Sequence, residues 1–497
     1  MIGGGLAGLS SAVALAEAGL KVCLLEKRPH LGGRATSYTL PDGSEVDNCQ
    51  HVTLGCCTNL ADFYRRVGAD GKIRYYDRLY FVDKDGRRST IEATPLPPPL
   101  HMAPSFLLFD ALTLADKRSI GEALMAIARA GGHPRGGEGV SMLDWLRGMK
   151  QTKGAIERYW RVVLVSALDE ELERTEAKYG IEVFWKAFLA NKTGYRVGIP
   201  SVPLADLYEG CRTPIQNRGG EVRTRCGVRA IRVSEGSFCG ALLEDGSEVA
   251  ADACIAATPH DALPEMLPGD ISAAGGPLDG IRHIRSSPIT GVHFWFDHTV
   301  MTEPFLTLLD HTTQWVFNKT LLYAGSQSAQ AHEITGDETA RADSRLMDEA
   351  GPDTGAGGQY LQLVISASYG LVQRSRQEII DLCRRELADV LPATRDAHLC
   401  KATVIKEINA TFSPAPGVDR WRPAQATPVK NFFLAGDWTR TGWPSTMEGA
   451  VRSGYLAAEA LLAETGVPQK FLQPDLPFEG LSKWWAGRNG TAPGGAQ

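Results

Sequence analysis

No two of the ten cysteines in this 497-residue chain stand at C-x-x-C spacing. They occur singly or as the adjacent pair Cys56-Cys57, so the ligand spacing of a structural zinc site is missing. A reduced, cytoplasmic protein is the simplest account of that usage. A surplus of positive charge is absent too: the formal net charge is −6, which removes the electrostatic case for nucleic acid. No uninterrupted apolar run reaches the about 18 residues that a membrane span needs. The apolar N-terminus lacks the basic segment of a signal peptide and carries Glu17 within its helical stretch. What remains is a chain long enough to bury a large core, split into two domains.

What is present begins at the third residue. Gly3-Gly4-Gly5-Leu6-Ala7-Gly8 fits G-x-G-x-x-G, a loop whose glycines let the backbone approach a pyrophosphate while the following helix offers free N–H groups. Leu9, Ala12, Val13 and Ala16 recur at helical spacing, and Gly19 is a natural stop. Lys21 to Leu25 reads as a short buried strand that delivers Glu26 about where a carboxylate would meet a ribose hydroxyl. A dinucleotide unit also needs a strand before its glycines, and only Met1 and Ile2 precede them. That strand is therefore expected to be truncated or to lie upstream, with weak cofactor retention in the first case.

Farther along, Asp42-Gly43, Asp85-Gly86 and Asp245-Gly246 mark hairpins. Pro95-Leu96-Pro97-Pro98-Pro99 breaks the chain before a helical region that runs to about Asn191, interrupted from Gly131 to Gly139. Val222, Thr224, Cys226 and Val228 alternate with polar residues and predict one half-exposed strand. Ala253 to Ala257 predicts a buried strand stopped by Thr258-Pro259, and residues 289–297 and 359–368 predict two more. Gly351 to Gly358 reads as a mobile surface loop, and the last eight residues as disordered. Near the end, Asn431 to Ala435 reads as a buried strand running into Gly436-Asp437. A helix follows from Trp443, its start set by the capping-box spacing of Ser445 and Glu448. Its small residues Gly449, Ala450 and Gly454 allow close approach by a backbone or a flat ring.

Gly3 to Gly8, Glu26 and Leu31-Gly32-Gly33-Arg34-Ala35 resemble the extended FAD fingerprint of the amine oxidase and phytoene desaturase superfamily. Leu434 to Asp437 with Glu448 to Gly454 is similar to its C-terminal flavin motif. The resemblance implies an α/β fold: a Rossmann-like FAD-binding domain (GR2-type, p-hydroxybenzoate-hydroxylase-like) interleaved with an α+β substrate domain. The expected division assigns 1–75, 200–288 and 400–466 to FAD, 76–199 and 289–399 to the substrate domain with its helical cap, and 467–497 to a tail. It also implies that Gly3, Gly5, Leu6, Ala7, Gly8, Glu26, Lys27, Gly33 and Arg34 bind the cofactor at the N-terminal end. Val228, beside the adenine, and Ala257 join them from mid-chain. Gly436, Asp437, Thr446, Met447, Glu448 and Ala450 complete the set. FAD would be held non-covalently, because Cys400 is the last cysteine and the flavin-linking cysteine of some amine oxidases has no counterpart.

Finer matches point further. Asp47-Asn48-Cys49-Gln50-His51-Val52, Tyr159-Trp160-Arg161, Gln314-Trp315-Val316-Phe317 and Lys406-Glu407 look like the bacterial squalene-associated flavoproteins. So does Ala410 to Pro414 with Pro416-Gly417-Val418. Those are hydroxysqualene dehydroxylases of squalene and hopanoid biosynthesis, so the resemblance implies a C30 isoprenoid substrate and a neighbouring squalene-pathway synthase. Reduced flavin would deliver hydride to an allylic carbon as water leaves. His51 is the candidate proton donor; hydrogen bonding to backbone or flavin alone is the competing role. Lys406 would sit over the flavin or hold a water, with a surface position as its alternative. Residues 100–130, including Met102, Phe106, Leu107, Leu108, Phe109, Leu112 and Leu114, are expected to form an entrance that dips into lipid, or a cap buried on its own core. Trp484 and Trp485 would add an interfacial anchor, placing the protein peripherally on the inner face of the cytoplasmic membrane. A carotenoid-type desaturase is the nearest alternative reading, followed by an amine oxidase and a non-catalytic FAD-binding partner.

Overall fold

The computed structural model describes residues 1–324 and 357–488. The loop expected at Gly351–Gly358, apart from its last two glycines, and the final eight residues lie outside the described residues.

Two parallel strand pairs, Cys23–Leu25 with Glu221–Arg223 and Cys254–Ala256 with Phe432–Leu434, are joined through one residue. Ile2 bridges Leu25 on one side and Ala256 on the other. Its N–H donates to Ile255 O at 3.0 Å, and its carbonyl accepts from Ala257 N at 2.7 Å. Gly3 N donates to Leu25 O at 2.8 Å. A strand of minimal length thus holds the central place in the sheet. Cys254–Ala256 and Phe432–Leu434 are buried apolar runs, as strands covered on both faces must be, whereas Glu221–Arg223 at the edge is largely exposed. The Leu6–Glu17 and Met447–Glu464 helices pack against each other at Gly454, where a Cβ would lie 2.4 Å from Ala7 O.

The single strand expected at residues 222–228 is two. Glu221–Arg223 stays in the parallel sheet, while Val228–Ser234 opens an antiparallel one with Ser237–Leu243 and Glu248–Val249. Between them Arg225 adopts φ 54°. The break has a local reason: Arg225 N donates to Arg28 O at 3.0 Å and Cys226 N to Glu26 O at 2.8 Å. The turn therefore braces the segment that carries Glu26.

Among the described residues a second sheet has seven strands, ordered Leu399–Phe412, Ser286–Phe296, Gln359–Ile365, Trp315–Asn318, Phe305–Leu308, Arg78–Val82 and Arg88–Glu92. The domain boundary expected at residue 400 falls inside its edge strand, which pairs with Ser286–Phe296 along nearly its whole length. The second sheet therefore keeps the chain as far as Phe412. Helices between Ala103 and Leu189 roof this sheet. The Leu114–Arg129 helix starts with a capping box formed by Thr113 and Asp116.

The tail is ordered as far as it is described. Phe471 packs on Tyr455, and Asp475 lies between Arg452 at 2.8 Å and Lys186 at 3.3 Å. Thr58 Oγ1 donates to Pro474 O and Asn191 Nδ2 to Pro477 O, both at 2.9 Å. The Gly480–Arg488 helix then begins against the proline run, Leu481 N donating to Pro98 O at 2.9 Å. No described helix is long and apolar enough to cross a membrane.

Candidate active site

The Leu6–Glu17 helix starts at Gly5 with no side-chain cap and no acidic residue in its first turn. Its first N–H groups are therefore left to a ligand. Gly32 N donates to Gly4 O at 2.8 Å, so the second glycine pair lies against the loop. A Cβ on Gly5 would find only Gly33 Cα, at 3.8 Å, whereas one on Gly8 would stand 1.9 Å from Gly3 O. Gly8 thus lets the helix seat on the loop, and Gly5 faces open space of the kind a diphosphate fills. Glu26 is buried, its carboxylate accepting from Gly4 N at 2.6 Å and Arg28 N at 2.7 Å. Lys27 is exposed beyond the strand. Ala257 N bonds Ile2 O beside Gly3, and Val228 pairs with Leu243. Leu6 and Ala7 are buried in the first turn of the helix.

The two ends of the chain meet at Arg34. Its guanidinium donates to Asp437 Oδ1 at 2.7 Å and to Ala410 O at 2.6 Å. Burial pushes the Asp437 carboxyl up, but Arg34 and the Ser445 hydroxyl outweigh it and hold it below the ordinary carboxylate range. The capping box expected from Ser445 and Glu448 does not form. Thr446 caps the helix, accepting from Gly449 N at 3.0 Å, while Ser445 turns to Asp437 and the helix proper begins at Met447. Glu448 instead accepts from Asn59 N at 3.2 Å and Leu60 N at 2.7 Å, capping the neighbouring Thr58–Arg66 helix. Gly436 N donates to Ser453 Oγ at 2.8 Å, and Ala450 is half-buried one turn along.

Two residues that the sequence did not single out fix this region. Arg422, fully buried, donates to the carbonyls of Asp437, Thr439 and Trp443 at 3.0, 2.6 and 2.8 Å and so shapes the loop into the Met447 helix. Lys319, also buried, donates to Asp47 Oδ2 at 2.6 Å and Gln50 Oε1 at 2.8 Å. It thereby pins the segment that carries His51. Each reads as an isolated cation in the sequence, and only the fold reveals its partners.

The expected catalytic residues fare differently. The His51 ring faces Cys49 O, with Nδ1 at 2.9 Å, and burial lowers its pKa. A neutral ring that donates from Nδ1 to a carbonyl keeps only an acceptor at Nε2. This contact to backbone is the one that the competing role calls for. Lys406 is turned away from the site, its ammonium bonded to the carbonyls of Val372 (2.9 Å) and Arg374. Residues 406 and 407 point to opposite sheet faces. Glu407 is the one directed inward, accepting from Asn48 Nδ2 at 3.3 Å.

A cavity of about 370 Å³ runs from the Met447 helix start to the helical roof. Val52, Phe106, Tyr159, Trp315, Phe317 and Met447 contribute to a wall that is predominantly hydrocarbon. The expected entrance residues divide. Met102, Phe106 and Phe109 line the cavity, Leu112 is buried, and Leu107, Leu108 and Leu114 face outward. Trp485 packs on the core, whereas Trp484 is exposed.

The flavin containing amine oxidoreductase family matches residues 6–462. Curated relatives include the zeta-carotene desaturase of Synechocystis, 27% identical over 93% of this chain and 96% of that protein. The 15-cis-phytoene desaturase of Solanum lycopersicum is also 27% identical, over 93% of this chain and 77% of that protein. Among solved structures, an oxidoreductase from Methanosarcina mazei aligns with a TM-score of 0.69 at 17% identity, covering 93% of this chain and 99% of that one. Putrescine oxidase aligns with a TM-score of 0.64 at 15% identity, covering 93% and 98%. The uncapped helix at Gly5, the gap before Gly33 and the Arg34–Asp437 closure are what a dinucleotide needs, and they fall at the two ends of the matched span. The chain thus belongs to the flavin-containing amine oxidoreductase family, as an oxidoreductase whose cofactor is FAD.

Proposed function

We propose that this protein desaturates a long acyclic isoprenoid, in the manner of the carotenoid-type relatives. The apolar cavity that ends at the Met447 helix carries the reading: its lining is chiefly hydrocarbon, and the charged residues within it, Arg158, Glu182, Lys186 and Glu448, are each engaged in an ion pair rather than left for an amine substrate. FAD, when bound, supplies two-electron chemistry by taking up or returning a hydride equivalent. The residues of the chain would do the rest. The loop Gly3 to Gly8 and Gly33 would hold the diphosphate, with Arg34 and Asp437 beside it. Thr446, by capping the Met447 helix, would keep its positive end directed at the isoalloxazine. The hydrocarbon wall would keep water from an allylic carbon as positive charge develops on it, and the faces of Tyr159, Trp315 and Phe317 would stabilise that charge.

A second reading is the reductive dehydroxylation of hydroxysqualene. It is favoured by one observation: Gln50, Val52, Tyr159, Trp315 and Phe317, from the segments similar to the squalene-associated flavoproteins, all line the cavity. Loss of hydroxide needs a donor, and burial keeps the Tyr159 phenol protonated. Tyr159→Phe should then abolish dehydroxylation while leaving FAD bound.

Anaerobic turnover separates the two. Oxidised protein given phytoene or zeta-carotene in detergent should bleach its flavin and lengthen the polyene chromophore. Photoreduced protein given hydroxysqualene would instead reoxidise and release squalene under the second reading. Flavin that stays unchanged in both trials would sink both.

A further inference from the structure

Among the described residues, exposed large apolar side chains are few, and most of them fall on two neighbouring segments. Leu96, Leu100, Leu107 (60% exposed), Leu108 (79%) and Leu114 (81%) lie between the proline run and the Leu114 helix. Leu481 and Trp484 (52%) are added by the C-terminal helix. These two segments are neighbours, because Leu481 N is bonded to Pro98 O and the Gly480 helix packs on the Leu114 helix. On that last helix Ser482 and Ala486 are buried, so Leu481, Trp484 and Arg488 form an outward stripe at i, i+3 and i+7. The Arg488 guanidinium lies 4.0 Å over the Trp484 ring.

We infer that this face docks on the surface of a lipid bilayer carrying anionic headgroups. Three observations select that occupant. The patch is continuous with the cavity: Leu100, exposed within it, also lines the cavity, as do Met102, Phe106 and exposed Gly121. The same two segments carry Lys117, which is bonded to Leu107 O, and the exposed Lys483 and Arg488, in a chain of net charge −6; Arg118 is engaged with Glu122, and Asp110 and Glu479 are carboxylates of these segments with no ion pair among the described residues. An aromatic beside cations and leucines, at half-exposure, is the composition of an interfacial anchor. The C-terminal helix lies beyond the span that the family model matches. The purpose of the face rests on the isoprenoid reading: an apolar substrate would pass from lipid into the cavity without crossing water.

Flotation of the FAD-loaded protein with phosphatidylcholine vesicles, with and without phosphatidylglycerol, tests the surface directly. The wild type should rise with both, more strongly with the anionic lipid at low salt. The triple variant Leu108→Ser, Leu114→Ser, Trp484→Ser should partition on the order of a hundredfold more weakly, with its flavin spectrum unchanged. Wild type left in the dense fraction with both vesicle types, or a variant that floats equally, overturns the inference. So does a wild-type dimer that the variant converts to monomer, which would make a second copy the occupant. The readout needs no turnover, so an enzyme that desaturates detergent-dispersed substrate but ignores vesicles would refute the docking face alone.

Discussion

Replacing Gly5 by alanine should separate cofactor binding from folding. Gly5 has φ −77° and ψ 177°, a conformation open to any residue, and the added Cβ would meet nothing nearer than Gly33 Cα at 3.8 Å. Alanine is about 0.5–1 kcal/mol worse than glycine at a helix N-cap, and loss of unfolded-state freedom offsets about 0.4–1 kcal/mol of that. The apoprotein should therefore unfold within about 0.5 kcal/mol of the wild type. For the cofactor the same methyl fills the gap where the diphosphate approaches backbone N–H groups. Losing one such charge-assisted hydrogen bond costs about 1.5–3 kcal/mol, so the Kd for FAD should rise about 10- to 150-fold. Gly8→Ala reverses the pattern. Its Cβ would stand 1.9 Å from the Gly3 carbonyl, a backbone atom that cannot yield, and the apoprotein should lose about 1–3 kcal/mol or more. Urea unfolding of the apo forms and a flavin-fluorescence titration measure both quantities. A Gly5→Ala protein that binds FAD like the wild type would refute the placement of the diphosphate between Gly5 and Gly33.

Arg34→Met should lower stability near neutral pH by about 2–3 kcal/mol, because it strands the buried Asp437 carboxylate; the value sits low in the range since 30% of the Arg34 side chain is exposed. The deficit should shrink in acid as Asp437 takes up a proton, and urea unfolding at two pH values reads it. His101 is buried with both ring nitrogens unpartnered, and burial pulls its pKa down to about 4. The unfolded chain binds that proton from about pH 6.5 downward and the folded one does not. Stability is thus lost as pH falls from 6.5 towards 4, by about 2 kcal/mol at pH 5, and His101→Leu should flatten that limb of the unfolding curve. Val163 lines the cavity, and Val163→Trp should abolish turnover of a C30 or C40 substrate while flavin content, read by absorbance, stays as in the wild type.

Much of the frame was legible because backbone requirements leave signatures. Glycines at 3, 5 and 8, an acid after the next strand, and Asp-Gly turns at 42, 85 and 245 each name a local geometry that few other residues allow. The break at Arg225 left none, since the 222–228 alternation is satisfied equally by one strand or by two pieces in different sheets. The cap of the C-terminal flavin helix was misplaced by one residue for a related reason. Ser445, Thr446 and Glu448 all suit a helix start, and only the buried Asp437 and the bare end of the Thr58 helix decide which does what. At residues 406 and 407 adjacent charged residues read alike, and the pleat turns one of them outward. Arg422 and Lys319 were silent because the groups that they satisfy are carbonyls and acids distant in sequence.

The one-residue strand at Ile2 has a consequence for how the protein comes to hold its cofactor in a cell. Its neighbours in the sheet extend to residues 254–256 and, through them, to 432–434. At a ribosomal rate of about 5–20 residues per second, the glycine loop waits about 20–90 s before the last strand and the Met447 helix emerge. Throughout that interval the Leu6 helix, buried along most of its length in the finished protein, lacks the Met447 helix that is its main helical partner. FAD capture is therefore a late event in the life of the chain, and the supply of chaperones during synthesis should govern the yield of holoprotein as strongly as the supply of flavin.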